Sequence, residues 1–362
     1  MKPAIEPRSA SELRVLVVDD ASGTTTIVPA AALASLFAPG DLLVVNDAAT
    51  LPASLHGRTA RGEPVELRLV GMVEDRRWVA ALFGAGDWHT PTELRSPPPL
   101  VSAGDRLVLG EGGLTARVLG PHPQSARLIE LALEGREDAS LDAIWAALYR
   151  AGRPVQYTYM SSPLALWDVQ NVYSARPWAV EMPSAGRGLT IAALLELRRR
   201  GVEIARVTHA AGLSSIGDAA SDAILPLPER YEVEEATWEA IARTRKRGGR
   251  VIAIGTSTVR ALEGAARDGK RTGVTSLRLG PGVRRAIVDA VLTGGHEAGT
   301  SHHELLRAFA KPVVLERALA CAEERGLLGH EMGDAWLVWG EPRENLRTPP
   351  RAARRDEGAA AR

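Results

Sequence analysis

Cysteine is nearly missing from this chain: Cys321 is the only one in 362 residues. No intrachain disulfide can form, and no thiolate cluster is available for a metal. The single thiol falls in the helical run Glu316 to Arg325, where a packed, inert side chain is expected rather than a nucleophile. Aromatic residues make up only 4%. Lysine is confined to Lys2, Lys246, Lys270 and Lys311, so arginine carries nearly all the positive charge. Lys and Arg total 44 against 44 Asp and Glu, a formal net charge of +0. That balance excludes a global basic signature of nucleic-acid binding, though not a local basic face. No apolar run reaches the roughly 18 residues of a membrane span, and no signal-peptide pattern appears. No G-x-G-x-x-G follows the first strand candidate and no Walker A sequence occurs. Ordinary dinucleotide, P-loop and Rossmann-type methyltransferase sites are thereby disfavoured, while a nucleoside held another way stays open. Hydrophobic content of 45% and charge of 24% suit a soluble globular protein, and the length suits two domains. A cytoplasmic enzyme or binding protein is expected.

What is present is organised around Arg250 to Glu263, RVIAIGTSTVRALE. Val251 to Ile254 is a short apolar strand, Gly255 a turn, and Thr256-Ser257-Thr258 leads into a helix with Arg260 in its first turns. Hydroxyls and unpaired backbone N–H groups gather there, at the carboxyl end of a strand, where open α/β sheets bind ligands and where anions find donors. An ordinary capped strand–turn–helix gives the same pattern. Leu13 to Asp19 and Asp41 to Asp47 are further strand candidates, with a short helix expected over Val28 to Phe37. Asn46 and Asp47, closing the second strand, suit either a turn held by side-chain bonds or contact with a ribose or an amine.

From about Leu55 to Leu133 short apolar runs alternate with Gly, Pro and Asp turns, the spacing of a small antiparallel barrel inserted into α/β material. Arg61, Arg68, Arg76, Arg77, Arg106, Arg117 and Arg127 fall within it, as a basic face for an RNA backbone or simply as solvated side chains. Aromatic and amide groups then cluster in Gln156 to Tyr159, Trp167 to Tyr173 and Trp178, suited to base stacking or to a core rim. Ser184-Ala185-Gly186 precedes a helix over Thr190 to Arg200. Leu225 to Tyr231 reads as a rigid loop before a helix over Glu234 to Arg247, and Thr275 to Leu279 as a strand. Thr293 to Glu304 gathers glycines, hydroxyls and His296, His302 and His303, but without the HExxH spacing of a metal site. Residues 341–362 are Arg/Ala/Glu-rich and are expected to be disordered.

Taken in order, Gly40 to Asp47 with Pro52-Ala53, Gln170 to Tyr173, Pro183 to Gly186, Val207-Thr208, Glu229, Arg250 to Glu263, Pro281-Gly282 with Asp289, Thr293 with His296, and Gly333 to Ala335 are motifs of one family. On these, residues 13 to 340 resemble the S-adenosylmethionine:tRNA ribosyltransferase-isomerases of queuosine biosynthesis. The resemblance implies a mixed α/β core domain (1–54 and 134–340) with an inserted antiparallel β-barrel domain (55–133). It implies transfer and isomerisation of the ribosyl moiety of S-adenosylmethionine onto an aminomethyl-7-deazaguanine base in tRNA, with adenine and methionine released. S-adenosylmethionine is then the co-substrate, tRNA the partner, and neither metal nor membrane is called for; the oligomeric state is left open. Gly255, Thr256, Ser257 and Arg260, with Ser184, Ala185 and Gly186, are expected to bind the nucleoside or its methionine end. Asn46 and Asp47 are expected to hold ribose or amine, and Gln170 and Tyr173 a base. His296 leads the acid/base candidates, then Glu229, with Asp334 in support.

The chain also departs from the family pattern. Ala48-Ala49 stand where the family has Thr-Arg, Ser54 where it has Arg, and Asp168-Val169 at the start of its YQTVY motif. Arg187-Gly188-Leu189 replace Leu-His-Phe, and Ala210 a histidine, with His209 adjacent. The run Leu225 to Pro228 replaces a His pair and Met, and Gly294 to Ala298 replace Asn-Phe-His-Leu-Pro. Lost Arg and His groups are those suited to phosphate contact and proton transfer. Two other readings therefore stand beside the first: an enzyme that uses S-adenosylmethionine with a small acceptor or by elimination, and a non-catalytic nucleoside- or RNA-binding protein.

Overall fold

Short, unbroken apolar runs dictate the centre of the molecule, because a strand with no polar face must be covered on both sides. In the computed structural model, which describes residues 1–341 except 75, 112, 136–138, 218–221 and 224, two such runs lie side by side. In chain order the strands begin with β1 (Lys2–Pro3), β2 (Arg14–Asp19), β3 (Thr24–Pro29), β4 (Leu42–Asn46) and β5 (Ala48–Thr50). A barrel follows from β6 (Ser54–Thr59), β7 (Pro64–Glu74), β8 (Arg77–Phe83), β9 (Arg106–Leu109), β10 (Leu114–Pro121) and β11 (Leu128–Glu134). The rest are β12 (Arg176–Ala179), β13 (Glu203–His209), β14 (Glu229–Val233), β15 (Val251–Ile254), β16 (Thr272–Thr275), β17 (Ala290–Gly294), β18 (Leu328–Gly329) and β19 (Ala335–Trp339).

Nine of these form one mixed sheet in the order β16-β14-β13-β4-β15-β17-β19-β2-β3. Its centre, β13-β4-β15-β17, is parallel, with Leu43 opposite both Ile204 and Ile252. One face packs against the helices Glu235–Lys246, Thr256–Asp268 and Pro312–Glu324 through Ile241, Leu262 and Leu315. The other face takes the helix Ile191–Arg199 and the 3₁₀ turn Ala30–Leu36, through Leu197 and Leu33. Among the described residues no helix is long and apolar enough to cross a membrane. The expected tail, 341–362, lies outside the described residues apart from Glu341.

The inserted strands close into a six-stranded barrel, β10-β11-β8-β7-β6-β9, all neighbours antiparallel. Closure leaves no free edge. The expected basic face is not formed by Arg68, which is 1% exposed and holds Glu66 at 2.8 Å, with Arg95 on the other carboxylate oxygen. Arg106 and Arg117 converge on Glu134 at 2.7 and 2.6 Å, and Arg77 lies between Glu74 and Glu130. Most of the strand-borne positive charge is thus answered by carboxylates on the barrel itself.

Two expected elements are corrected. The strand expected over Thr275 to Leu279 lies at Thr272–Thr275 and pairs with β14. The segment up to Tyr231 is not all loop, because β14 begins at Glu229. Its residues alternate between buried Glu229, Tyr231 and Val233 and the more open Arg230 and Glu232. With only one apolar face turned inward, the strand is too short to display that period clearly beside a proline-rich run.

Candidate active site

The parallel strands β13, β15 and β17 deliver their carboxyl ends to one side of the sheet. There Ala211 to Ser214, Gly255 to Ser257 and Gly294 to His296 border a cavity of about 700 Å³. This is the crevice in which open sheets bind ligands. Gly255 makes the approach possible. Its φ of +95° is one that side chains rarely adopt, its N–H donates to Leu292 O at 2.7 Å, and an added Cβ would stand 3.6 Å from that of Ala185. The helix Thr256–Asp268 starts at once, with no side-chain cap. Its first internal bond is Val259 N–H to Gly255 O, so the amides of Thr256, Ser257 and Thr258 precede the ladder. The Thr258 hydroxyl turns back to Ile254 O, while Thr256 and Ser257 line the cavity. An uncapped helix amino end facing a cavity offers donors and a partial positive charge to an anion. Gly255→Ala is expected to cost about 1–2 kcal/mol in a urea titration, because alanine resists positive φ.

Arg260, one turn along that helix, is 7% exposed and lines the same cavity. It pairs with Glu229, whose other oxygen accepts from Gly212 N–H at 2.8 Å, and its Nε donates to Leu277 O at 3.0 Å. The remaining guanidinium nitrogen, Nη2, is buried without a partner. Burial pushes the Glu229 carboxyl up, and the Arg260 charge and the Gly212 amide pull it back. His209 lies behind, fully buried, with Nε2 3.2 Å from Glu229 but outside hydrogen-bond geometry. Burial, then Arg260, holds its imidazole well below the usual value, so it is neutral.

The loop after β17 brings a second group. His296 Nε2 lies 2.7 Å from the Thr293 hydroxyl, and its ring stacks on His302 at 4.7 Å with planes 16° apart. Burial, then the neighbouring imidazoles, keeps His296 well below the usual histidine value, and burial and Arg260 bring His302 down to about 4. At neutral pH both rings are free bases lining the cavity. Among the described residues no group of three or more His, Cys, Asp and Glu is arranged to hold a metal.

Of the residues singled out in the sequence, Ser184, Ala185, Gly255, Thr256, Ser257, Arg260, Glu229 and His296 meet around this one cavity. The others stand back from it. Asn46 accepts from the N–H of His209 and of Ala48 and donates to His209 O and the Ser257 hydroxyl, so it ties β4 to β13. Asp47, 2% exposed, accepts from the Thr208 hydroxyl at 2.5 Å. Gln170 both accepts from and donates to the backbone of Thr50. Tyr173 packs directly beneath Gly186, where an added Cβ would strike its hydroxyl, and the Asn171 amide donates to Pro183 O. These two brace the Ser184–Gly186 turn from behind. Asp334 is fully buried, bonded to Arg8, Arg14 and the N–H groups of Arg14 and Leu328. Its role is to fasten the amino-terminal segment to the loop before β19. Sequence reading missed Glu181, His302 and Glu331, which also line the cavity. His302 carried a signal, adjacency to His296 in a histidine-rich run; the two glutamates carried none.

A sequence model of the family described as Queuosine biosynthesis protein matches residues 2–338. An S-adenosylmethionine:tRNA ribosyltransferase-isomerase from Gloeobacter violaceus is 34% identical over 344 residues, covering 92% of this chain and 90% of the relative. One from Citrifermentans bemidjiense is 33% identical over 338 residues, covering 90% and 92%. The crystal structure of an S-adenosylmethionine tRNA ribosyltransferase from Thermotoga maritima aligns with a TM-score of 0.50 at 24% identity, over 93% of this chain and 96% of that one, a likeness of fold.

Proposed function

This chain belongs to the Queuosine biosynthesis protein family, and we propose that it transfers and isomerises the ribosyl moiety of S-adenosylmethionine onto the aminomethyl-7-deazaguanine base of tRNA, giving epoxyqueuosine-tRNA with release of adenine and methionine. The observation that carries the reading is the cavity, which joins an uncapped helix amino end, a largely buried arginine and a neutral imidazole pair.

The reaction needs each of them. The sulfonium acidifies the ribose carbon beside it, so a base held against that carbon removes its proton. His296 is placed for this: its ring is neutral and Thr293 fixes its rotation. Adenine departs with the electrons of its glycosidic bond and needs a proton or a hydrogen bond at a ring nitrogen; the neutral His302 ring can offer the hydrogen bond from the same cavity. The amine attacks as the free base, and a fixed cavity supplies effective concentration. Breakage of the carbon–sulfur bond returns an electron pair to sulfur and frees methionine. The amides of Thr256 and Ser257, with the Arg260 charge beside them, suit the methionine carboxylate. Glu229 orients Arg260, and Ser184 with Ala185 lines the cavity beside Gly255.

Incubation of the purified protein with S-adenosylmethionine is expected to release adenine only when tRNA carrying the aminomethyl base is present. Release without tRNA points to a small-molecule acceptor or an elimination. No release under either condition leaves a binding protein and removes the enzymatic reading.

A further inference from the structure

Glu181 and Glu331 line the same cavity, and none of the proton transfers above uses them. Each is held in place by a tyrosine. The Tyr157 hydroxyl donates to Glu181 Oε1, which also accepts from the Ser214 N–H at 2.9 Å and the Ser214 hydroxyl at 3.1 Å. The Tyr159 hydroxyl donates to Glu331 Oε2. The two tyrosine rings stack at 6.2 Å, and His330 follows Tyr159 at 4.4 Å. Glu181 Oε2 has no hydrogen-bond partner among the described residues and is not sealed from solvent. Behind the cavity, and sharing Glu181, Met182 and Glu331 with it, lies a recess of about 20 Å³ lined also by both tyrosines. Such a volume admits one water-sized group.

A second feature of the same cavity points to its occupant. Arg260 also lines this cavity and brings a positive charge to the wall it shares with Glu229. The cavity thus carries a guanidinium and two glutamates, with Glu181 Oε2 left to solvent. A purely anionic ligand answers the arginine and is repelled by the carboxylates. A ligand with an anionic group and a compact cation answers both. The recess admits a water-sized group, and an ammonium is of that size.

We propose that Glu181 and Glu331 form a recess for a primary ammonium group, with Tyr157, Tyr159 and Ser214 as the positioning residues that aim the two carboxylates. This rests on the ribosyl-transfer reading only for the source of the ammonium, which is either the α-ammonium of the methionine end or the aminomethyl group of the acceptor. The chemistry that recognises it is the same.

The test is calorimetric titration of wild-type, E181Q and E331Q protein with three probes: S-adenosylhomocysteine, free 7-aminomethyl-7-deazaguanine, and 5′-methylthioadenosine, which shares the neutral thioether of the first and lacks the ammonium. Glutamine keeps the shape and removes the charge. At least one variant is expected to bind an ammonium-bearing probe about tenfold or more weakly, the loss of one charge-assisted hydrogen bond, with methylthioadenosine binding unchanged. Weakening of S-adenosylhomocysteine assigns the recess to the amino-acid end of the co-substrate, and weakening of the free base assigns it to the acceptor. Wild-type binding of neither ammonium-bearing probe, unchanged affinities in both variants, or an equal loss for methylthioadenosine overturns the proposal. Absence of adenine release by the wild type sinks the ribosyl-transfer reading and leaves these titrations standing.

Discussion

Replacing His296 with alanine is expected to lower the rate of adenine release by about 10²- to 10⁴-fold, the range lost when a positioned proton-transfer group is removed. The expectation comes from where the ring sits and what surrounds it. Its Nε2 is fixed by the Thr293 hydroxyl, its face lies on His302, and both rings line the cavity. A protonated His296 would have to sit in a partly buried site beside other imidazoles, so its pKa lies well below the ordinary 6.5. The ring is therefore a free base throughout the neutral range, and the acidic limb of the rate profile is expected below 6.5 rather than at it. Folding follows the same sign. An imidazole that binds protons less readily when folded contributes stability above 6.5, and that contribution is lost as the pH falls. Single-turnover adenine release from pH 5 to 9, with thermal unfolding of the variant as a control, reads both effects. A folded H296A protein that keeps wild-type turnover removes His296 from the chemistry. Thr293→Val, which keeps the ring and frees its rotation, is expected to lose less.

Local signals were legible in the sequence and distant ones were not. The strand, positive-φ glycine and helix of Val251 to Asp268 follow from consecutive residues, because the apolar run, the glycine and the hydroxyls each mark their own conformation. The barrel strands were legible for the same reason, through short apolar runs between turn residues. Asn46, Asp47 and Gln170 look alike in sequence whether they meet a ligand or the protein; here Asn46 meets the backbone of His209 and the Ser257 hydroxyl at the cavity, Asp47 the hydroxyl of Thr208, and Gln170 the backbone of Thr50. Polar residues at strand ends satisfy their neighbours first, and which neighbours those are is set by strands far along the chain. Glu181 and Glu331 are the converse. They lie 150 residues apart in number, with no flanking motif, and become one feature only where Tyr157 and Tyr159 bring their hydroxyls to them. Asp334, expected beside the chemistry, instead fastens Arg8 and Arg14. A carboxylate flanked by glycine and a strand reads the same in either role.

Arg260→Met is expected to destabilise the fold by about 3–5 kcal/mol, the cost of leaving one member of a buried ion pair without the other. Side-chain exposures of 8% for Arg260 and 9% for Glu229 put the pair out of water. In the variant Glu229 keeps only the Gly212 amide and stays beside a neutral, buried His209. The pH dependence distinguishes this from a simple packing loss. Burial already raises the Glu229 carboxyl above 4.5, and Arg260 is the largest influence pulling it back. Without the arginine the folded carboxyl rises further while the unfolded one does not. The folded variant then binds the extra proton more readily, so its deficit is full above the folded pKa and shrinks as the pH falls toward 4.5. Urea midpoints at pH 5 and pH 8 check this: the gap from wild type is expected to be clearly smaller at pH 5. Adding Glu229→Leu to Arg260→Met is expected to recover much of the stability, since neither charge is then left stranded. Adenine release stays low in the double variant, because the positive charge beside the methionine carboxylate is gone. Stability regained with activity still absent separates the two tasks of Arg260, closing a buried ion pair on one side and facing the cavity on the other. An equal gap at both pH values, or a double variant no more stable than the single one, would contradict the electrostatic account of the pair.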